Sequence, residues 1–396
     1  MKYFFSAGEA SGDIHAAQVI KALLTLDPEA DICFLGGDRM AEAAGHEPLI
    51  HFSRMAFMGF IDVAAHLPEV LGNLKTAKEA ISSMRPDAVI LVDYPGFNLK
   101  LAKYAKSLGI PVFYYIAPKL WAWKSYRIKQ IRRYVDEVFS ILPFEPAWFA
   151  ERGVEVTYVG NPSVEEVEAA IRTLPSHKEF LNVHSLTDGR PILALVPGSR
   201  VGEIKANLPV MDAVARLHPD MQTVIAGAPS LPRDFYASFS NFPVIDGVTL
   251  GLMANSRAAL VTSGTASLEC ALAGCPQVVC YRAVGWKWAH DIFLHILKIP
   301  YVSLPNLIGG KIDRQTRREV NNEAIKTGVR GCIVPEMLVH NCTPENVNRE
   351  LSRIIPDGKP REAQLDGYRK LRRILHTDSS AAENVARLIV QKLRKV

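Results

Sequence analysis

The chain has 396 residues, 48% of them hydrophobic and 22% charged, and a formal net charge of +5. That balance excludes a disordered or fibrous protein, and the length calls for two domains rather than one core. No run of about 18 apolar residues occurs, so no membrane span is expected, and the mild positive charge favours anionic ligands or an anionic lipid surface without requiring nucleic acid.

The chain runs straight into the strand-like Tyr3-Phe4-Phe5, so no targeting segment is expected. Strand-like runs follow at Asp31–Leu35, Ala88–Val92, Val112–Ile116, Val135–Leu142 and Val154–Val159. Helical patterns lie between them at Ile14–Leu26, Asn73–Met84, Leu99–Leu108, Trp123–Tyr134 and Pro146–Arg152. Apolar strands alternating with helices predict a parallel sheet covered on both faces. After two polar helical patterns, the turn Asp188-Gly189-Arg190-Pro191 marks the expected domain boundary. The alternation then restarts with Ile192–Val196, Met221–Ala226, Phe242–Asp246, Ala258–Val261 and Gln277–Tyr281. The expected fold is therefore α/β, with two Rossmann-like doubly wound domains (1–188 and 189–356) facing across a cleft at the carboxyl ends of their strands. A helical tail, 357–396, crosses back to the first domain or to a partner chain. The six cysteines form no C-x-x-C pair, so most are expected to be core thiols in a reducing cytosol rather than zinc ligands or disulfides.

Ala258 to Glu269 is the most informative stretch. A buried strand runs into Ser263-Gly264-Thr265 and a helix opens there, so unpaired N–H groups and the helix dipole face any phosphate placed at the turn. Glu269 follows one helical turn later, within reach of a ribose. An ordinary capped strand-to-helix turn has the same pattern. Pro197-Gly198-Ser199-Arg200, after the first strand of the second domain, suits a phosphate-bearing ligand because guanidinium binds it as a fork, or is simply a surface turn. Gly8-Glu9-Ala10-Ser11-Gly12-Asp13 lacks the spacing of a dinucleotide fingerprint; it is either a tight turn capped by Ser11 or Asp13 or a ligand edge carrying two carboxylates. Asp93 ends a central strand, where it either deprotonates an attacking hydroxyl or fixes the following turn.

Arg54–Leu71 is apolar on more than one helical face yet carries Asp62 and Glu69. Phe57, Met58, Phe60, Ile61, Val63 and Leu67 make either core or an exposed acyl-chain or membrane patch. Downstream, Trp121 and Trp123 lead into Lys124, Arg127, Lys129, Arg132 and Arg133, which suits an anionic interface. One short basic helix with no accompanying motif argues against nucleic acid.

Together AGEASGD (7–13), the stretch around Met58-Gly59, DYPGFN (93–98), PKLWAWK (118–124), LPFE (142–145), PGSR (197–200), SGTASLE (263–269), CPQVVCYR (275–282) and YVSLPNL (301–307) resemble the lipid-A-disaccharide synthase family, inverting glycosyltransferases of GT-B architecture. The resemblance runs from residue 7 to about 310. It implies that UDP-2,3-diacylglucosamine gives its sugar to the 6-hydroxyl of 2,3-diacylglucosamine 1-phosphate, forming a β-1,6 disaccharide and UDP. It places Asp93 on the acid/base position and Arg200 on the leaving diphosphate. Ser263, Gly264, Thr265, Glu269 and Asn306 then hold the UDP-sugar, Gly8, Glu9, Ser11 and Asp13 line the acceptor side, and Phe57–Leu71 meets acyl chains and membrane. No cofactor and no metal are implied. The implied setting is the cytoplasmic face of the inner membrane, as a peripheral protein, with a homodimer left open. Tyr94 and Gly96 depart from the family pattern, which expects a small residue and an acid there; a second carboxylate at that turn is not expected.

Overall fold

The computed structural model describes residues 1–55, 66–122, 125–282 and 299–394. The chain folds as two units: residues 1–162 with 377–396, and residues 163–376.

The first unit is built on a seven-stranded sheet, with strands β1 (Lys2–Ala7), β2 (Asp31–Gly36), β3 (Ile50–His51), β4 (Ala88–Val92), β5 (Val112–Tyr115), β6 (Glu137–Ser140) and β7 (Val156–Tyr158). Their order is β3-β2-β1-β4-β5-β6-β7, and every neighbouring pair is parallel. β1 and β4, the two strands at the switch in order, are buried almost throughout, which is why they read as continuous apolar runs rather than alternating ones. The helix Ala10–Leu26 buries Ala16, Val19, Ile20 and Leu23 at helical spacing. Against it packs the last helix, Ala381–Leu393, which buries Ala382, Val385, Ala386, Ile389 and Val390 in the same core. A capping box between Ser380 and Glu383 fixes where that helix begins.

The second unit is a six-stranded parallel sheet of β8 (Ile192–Val196), β9 (Gln222–Gly227), β10 (Val244–Asp246), β11 (Ala258–Thr262), β12 (Gln277–Tyr281) and β13 (Glu336–Leu338), ordered β10-β9-β8-β11-β12-β13. Its strands face two cores. Leu193, Leu195, Ala258 and Leu260 point to one, with Ile204, Leu208 and Val347 from the covering helices. Ile192, Ala194, Val196, Ala259 and Val261 point to the other, with Phe180, Leu252 and Cys270. The period of two along each strand is what makes the sheet doubly covered.

The units part at positions different from the turn at Asp188-Gly189 and the tail start at 357. Phe180, on the helix His177–Val183, is buried against Leu186 and Leu252, so the segment after residue 162 belongs to the second core. Helix Lys359–Leu375 also stays with the second unit. Its Gln364 accepts from the Gln277 backbone N–H (2.9 Å), and its Tyr368 hydroxyl donates to the Cys275 carbonyl (3.1 Å). Only the helix from Ala381 returns to the first unit. Among the described residues, no helix is long and apolar enough to cross a membrane. Phe57, Met58, Phe60, Ile61 and Val63, and the side chain of Leu67, lie outside the described residues.

Candidate active site

In both sheets strand order reverses beside the first strand, between β1 and β4 and between β8 and β11. Ligands of doubly wound sheets bind beyond the carboxyl ends of such a pair. Each edge is built from segments that the sequence motifs mark.

In the first unit β4 ends at Val92, and Asp93 and Tyr94 both take left-handed backbone (φ 46° and 48°) before the helix Pro95–Ser107. Ile116, just past β5, does the same at φ 59°. Such conformations cost non-glycine residues energy and persist where surrounding structure over-determines them. Asn98, fully buried, supplies much of that determination. Its amide nitrogen donates to the Asp93 carbonyl (2.7 Å) and reaches those of Val92 and Ser6 (3.2 Å each), while its oxygen accepts from the Ser6 hydroxyl (2.7 Å). The Tyr114 hydroxyl also donates to the Asp93 carbonyl (2.6 Å). One side chain thus joins the ends of β1 and β4 and leaves the Asp93 carboxyl free of that network. Burial raises the carboxyl's pKa; the Tyr94 backbone N–H and the positive charge of Lys119 oppose the rise. A carboxylate made more basic in this way suits proton abstraction.

The first βα turn meets this edge through Tyr94. A Cβ on Gly8 would lie 2.3 Å from the Tyr94 ring, so the close approach requires glycine there. The Tyr94 hydroxyl donates to the Met55 carbonyl (2.5 Å), which ties the turn to the segment that precedes the apolar stretch. Tyr94 therefore fills the space between the Gly8 turn and Met55. At Gly96 an added Cβ would meet nothing within 4 Å, so the chain has room for a larger residue that it does not carry. Glu9 is the N-cap residue of helix Ala10–Leu26, and its charge is felt by the Tyr94 phenol. Ser11 is exposed in the first turn. Asp13 holds the turn that follows β2, at this same edge. It accepts from the backbone N–H groups of Gly37 (2.6 Å), Arg39 (3.1 Å) and Met40 (3.2 Å), capping the helix Asp38–Ala44, whose N-cap Gly37 offers no side chain.

A second buried carboxyl stands on the same sheet edge. Glu145 accepts from the Trp121 indole N–H (2.7 Å) and from the Ser140 hydroxyl. Burial pushes its pKa up from 4.5 to about 7, against those two hydrogen bonds and the charge of Lys119. Lys119 thus influences both carboxyls of the edge. Asn98, Tyr114, Lys119 and Glu145 were not singled out as site residues from the sequence; the signal available was that 98, 119 and 145 lie inside the motifs DYPGFN, PKLWAWK and LPFE.

In the second unit β8 leads through Pro197-Gly198-Ser199 to Arg200, the exposed N-cap residue of helix Val201–Ala215. Arg200 reaches the Glu203 carboxylate at 3.3 Å. Gly198 has φ +106° and sits where a Cβ would be 2.6 Å from that carboxylate. Beside it β11 leads through Ser263 and Gly264 to helix Thr265–Leu272. Gly264 and Thr265 are exposed, and the Ser263 hydroxyl donates to the Val302 carbonyl (3.1 Å). The Glu269 carboxyl has its pKa raised by burial and by the charge of Glu166. A guanidinium and a helix N-terminus on adjacent strand ends form an anion-binding pair. Asn306 does not face this edge openly. It has no exposed surface; its oxygen accepts from the N–H groups of Cys332, Ile333 and Val334, and its nitrogen donates to the Val334 carbonyl and the Glu336 carboxyl. Glu336 in turn accepts from the Val302 and Ser303 N–H groups (3.0 Å each). Asn306 thus braces, through Glu336 and Val302, the loop that holds Ser263. Among the described residues no group of three or more His, Cys, Asp or Glu side chains is arranged to hold a metal ion.

The model of the lipid-A-disaccharide synthetase family matches residues 3–390. The chain belongs to that family. It is 39% identical to the lipid-A-disaccharide synthase of Myxococcus xanthus over 97% of this chain and 96% of that one. Two solved structures share its fold at low identity. One is the UDP-GlcNAc 2-epimerase of Methanocaldococcus jannaschii, with a TM-score of 0.57 at 14% identity, covering 99% of this chain and 100% of that one. The other is the calicheamicin glycosyltransferase CalG4, with a TM-score of 0.55 at 15% identity, covering 100% and 98%. The architecture is that of GT-B proteins, and membership of the synthetase family, rather than the fold, separates this chain from the epimerases.

Proposed function

We propose that the chain is the inverting glycosyltransferase that joins UDP-2,3-diacylglucosamine to 2,3-diacylglucosamine 1-phosphate in lipid A biosynthesis. Family membership carries this reading. In the proposed step Asp93 takes the proton from the acceptor 6-hydroxyl, whose oxygen attacks the anomeric carbon of the donor. The bond from that carbon to the diphosphate oxygen breaks with inversion, and UDP leaves with the electron pair. Arg200 and the N–H groups opening helix Thr265–Leu272 stabilise the charge that develops on the diphosphate. Glu269 accepts from the ribose hydroxyls.

The deciding measurement is UDP release from UDP-2,3-diacylglucosamine in mixed micelles, with and without acceptor. Acceptor-dependent release with a disaccharide product by mass is expected. Release that ignores the acceptor overturns the reading.

We further propose that the chain docks on an anionic bilayer, with the apolar residues between Phe57 and Leu67 entering the interface and the basic residues around helix Ile128–Tyr134 meeting lipid phosphates. Arg132 and Arg133 in the last turn of that helix, both exposed, support the reading, as does the net charge of +5.

A further inference from the structure

The second unit carries a cavity of about 620 Å³ at the end of its sheet away from Arg200 and Thr265. Pro191 and Ile192 at the start of β8, and Ser256 and Arg257 just before β11, form its base. β8 and β11 are parallel neighbours of five residues each, so the cavity lies roughly 15 Å along the strands from the proposed diphosphate site, at about 3.3 Å per residue.

The lining is chemically one-sided. Lys178, Arg190, Arg257 and Arg361 face it, and no carboxylate among the described residues lines it. Leu181, Leu186 and Ile192 give it an apolar floor, while Asn182 and Asn255 add amides. The arginines are held in place from behind. Arg257 donates to the Ile355 carbonyl and Asp357 (2.7 Å each), and Arg361 donates to the carbonyls of Arg257 (2.8 Å) and Ile354 (3.1 Å). Arg190 donates through Nε and Nη2 to one oxygen of Asp188 and through Nη1 to the Pro219 carbonyl (2.8 Å). The compensation is incomplete. Arg257 and Arg361 are only 28% and 12% exposed, and they share Asp357, which is itself 84% exposed. Burial and the neighbouring Arg257 charge lower the pKa of Arg361, the direction expected of like charges held together. Lys178 stands exposed at the rim. Partly buried guanidiniums without a buried counter-charge are costly, and a bound anion relieves that cost.

We propose that this cavity binds a small phosphorylated anion with an apolar group, at a site separate from the glycosyl-transfer chemistry. The preset guanidiniums take the phosphate and the leucine floor takes the apolar part. The inference does not rest on the proposed reaction.

The test uses full-length protein loaded with one equivalent of UDP, enough to occupy the nucleotide site alone, titrated calorimetrically with AMP at low ionic strength. One further site is expected, weaker for inorganic phosphate than for AMP. Lys178→Glu, which removes a charge-assisted contact, and Asn182→Asp, which adds a repelling carboxylate, both on the exposed rim of helix His177–Val183, each weaken AMP binding on the order of tenfold. Both variants keep their acceptor-dependent UDP release when AMP is absent. Three results overturn the proposal: no saturable AMP binding to the UDP-loaded protein, binding that UDP displaces, or binding that neither variant alters.

Discussion

Asp93 combines a strained backbone with a carboxyl whose proton affinity is raised. In the proposed reaction it works deprotonated, so kcat/KM is expected to rise with pH through a value above that of an ordinary aspartate. Asp93→Asn keeps the shape and removes the base; kcat should fall by roughly 10²–10⁴ with little change in KM, the usual contribution of general base catalysis. Lys119→Ala removes a charge that favours the ionised carboxyl, so the acid limb should move to higher pH; an unmoved limb in the pH profile of UDP release would mean that another group titrates. Asn98→Ala strands the buried Ser6 hydroxyl and leaves the Asp93 carbonyl with the Tyr114 hydroxyl alone. A loss of about 1–3 kcal/mol in urea unfolding is expected, the cost of unsatisfied buried polar groups, together with reduced kcat. Position 93 was legible in the sequence because a carboxylate ends an unbroken apolar strand. Asn98 as the partner of Ser6 was not, since 92 positions separate them and only the adjacency of β1 and β4 brings them together. Asp13 and Asn306 show the converse: both sit in informative motifs, and both engage loops the sequence does not show to be near, Asp13 through backbone N–H groups and Asn306 through backbone N–H groups, a carbonyl and the Glu336 carboxyl.

Among the elements, the strand ends and the turns after them decide the edges of both sheets. β4, β8 and β12 match the expected runs residue for residue, because each is buried on both faces and bounded by turn residues. β13 escaped notice: it has only three residues and begins with the fully buried Glu336. A polar residue at the head of so short a run hides the strand from any reading by hydrophobic pattern. The Gly8 turn and the Asp93-Tyr94 turn form one contact, so Gly8→Ala should destabilise by about 1–3 kcal/mol through overpacking, and Tyr94→Ala in the same chain should recover part of that loss. Strict additivity in a double-mutant cycle would refute the contact. The loop before Trp121 leans on Glu145, whose folded pKa of about 7 exceeds its usual 4.5. The folded state therefore holds a proton that the unfolded state has lost between those values, and the neutral carboxyl is the favourable form. This contribution is present below about pH 4.5 and is lost as pH rises to about 7, a swing of up to about 3 kcal/mol. Glu145→Gln should flatten that part of the stability profile in urea melts between pH 5 and 8; an unchanged slope assigns it elsewhere.

For the whole molecule, net charge and chain path matter more than any single contact. Vesicle co-sedimentation is expected to rise with anionic lipid content and to fall as salt screens the attraction. Binding that depends only on acyl surface and not on salt would remove the basic helix from the proposed docking. The two-sheet plan was readable from the alternation of strands and helices. The points where the chain passes between units were not, because the polar helices at 162–183 and 359–375 declare their allegiance through Phe180, Gln364 and Tyr368, side chains whose partners are distant in sequence. The first unit is closed by helix Ala381–Leu393, which packs on helix Ala10–Leu26. Ile389→Ala, in that seam, should cost about 2–5 kcal/mol, as other fully buried large-to-small changes do. During synthesis this arrangement reverses the usual order in which domains mature. The sheet of the first unit is made before the second unit, yet its covering helix is made only after every residue of the second unit. Chains truncated before residue 381 and released from the ribosome are thus expected to resist protease in the second unit and to be cut in the first.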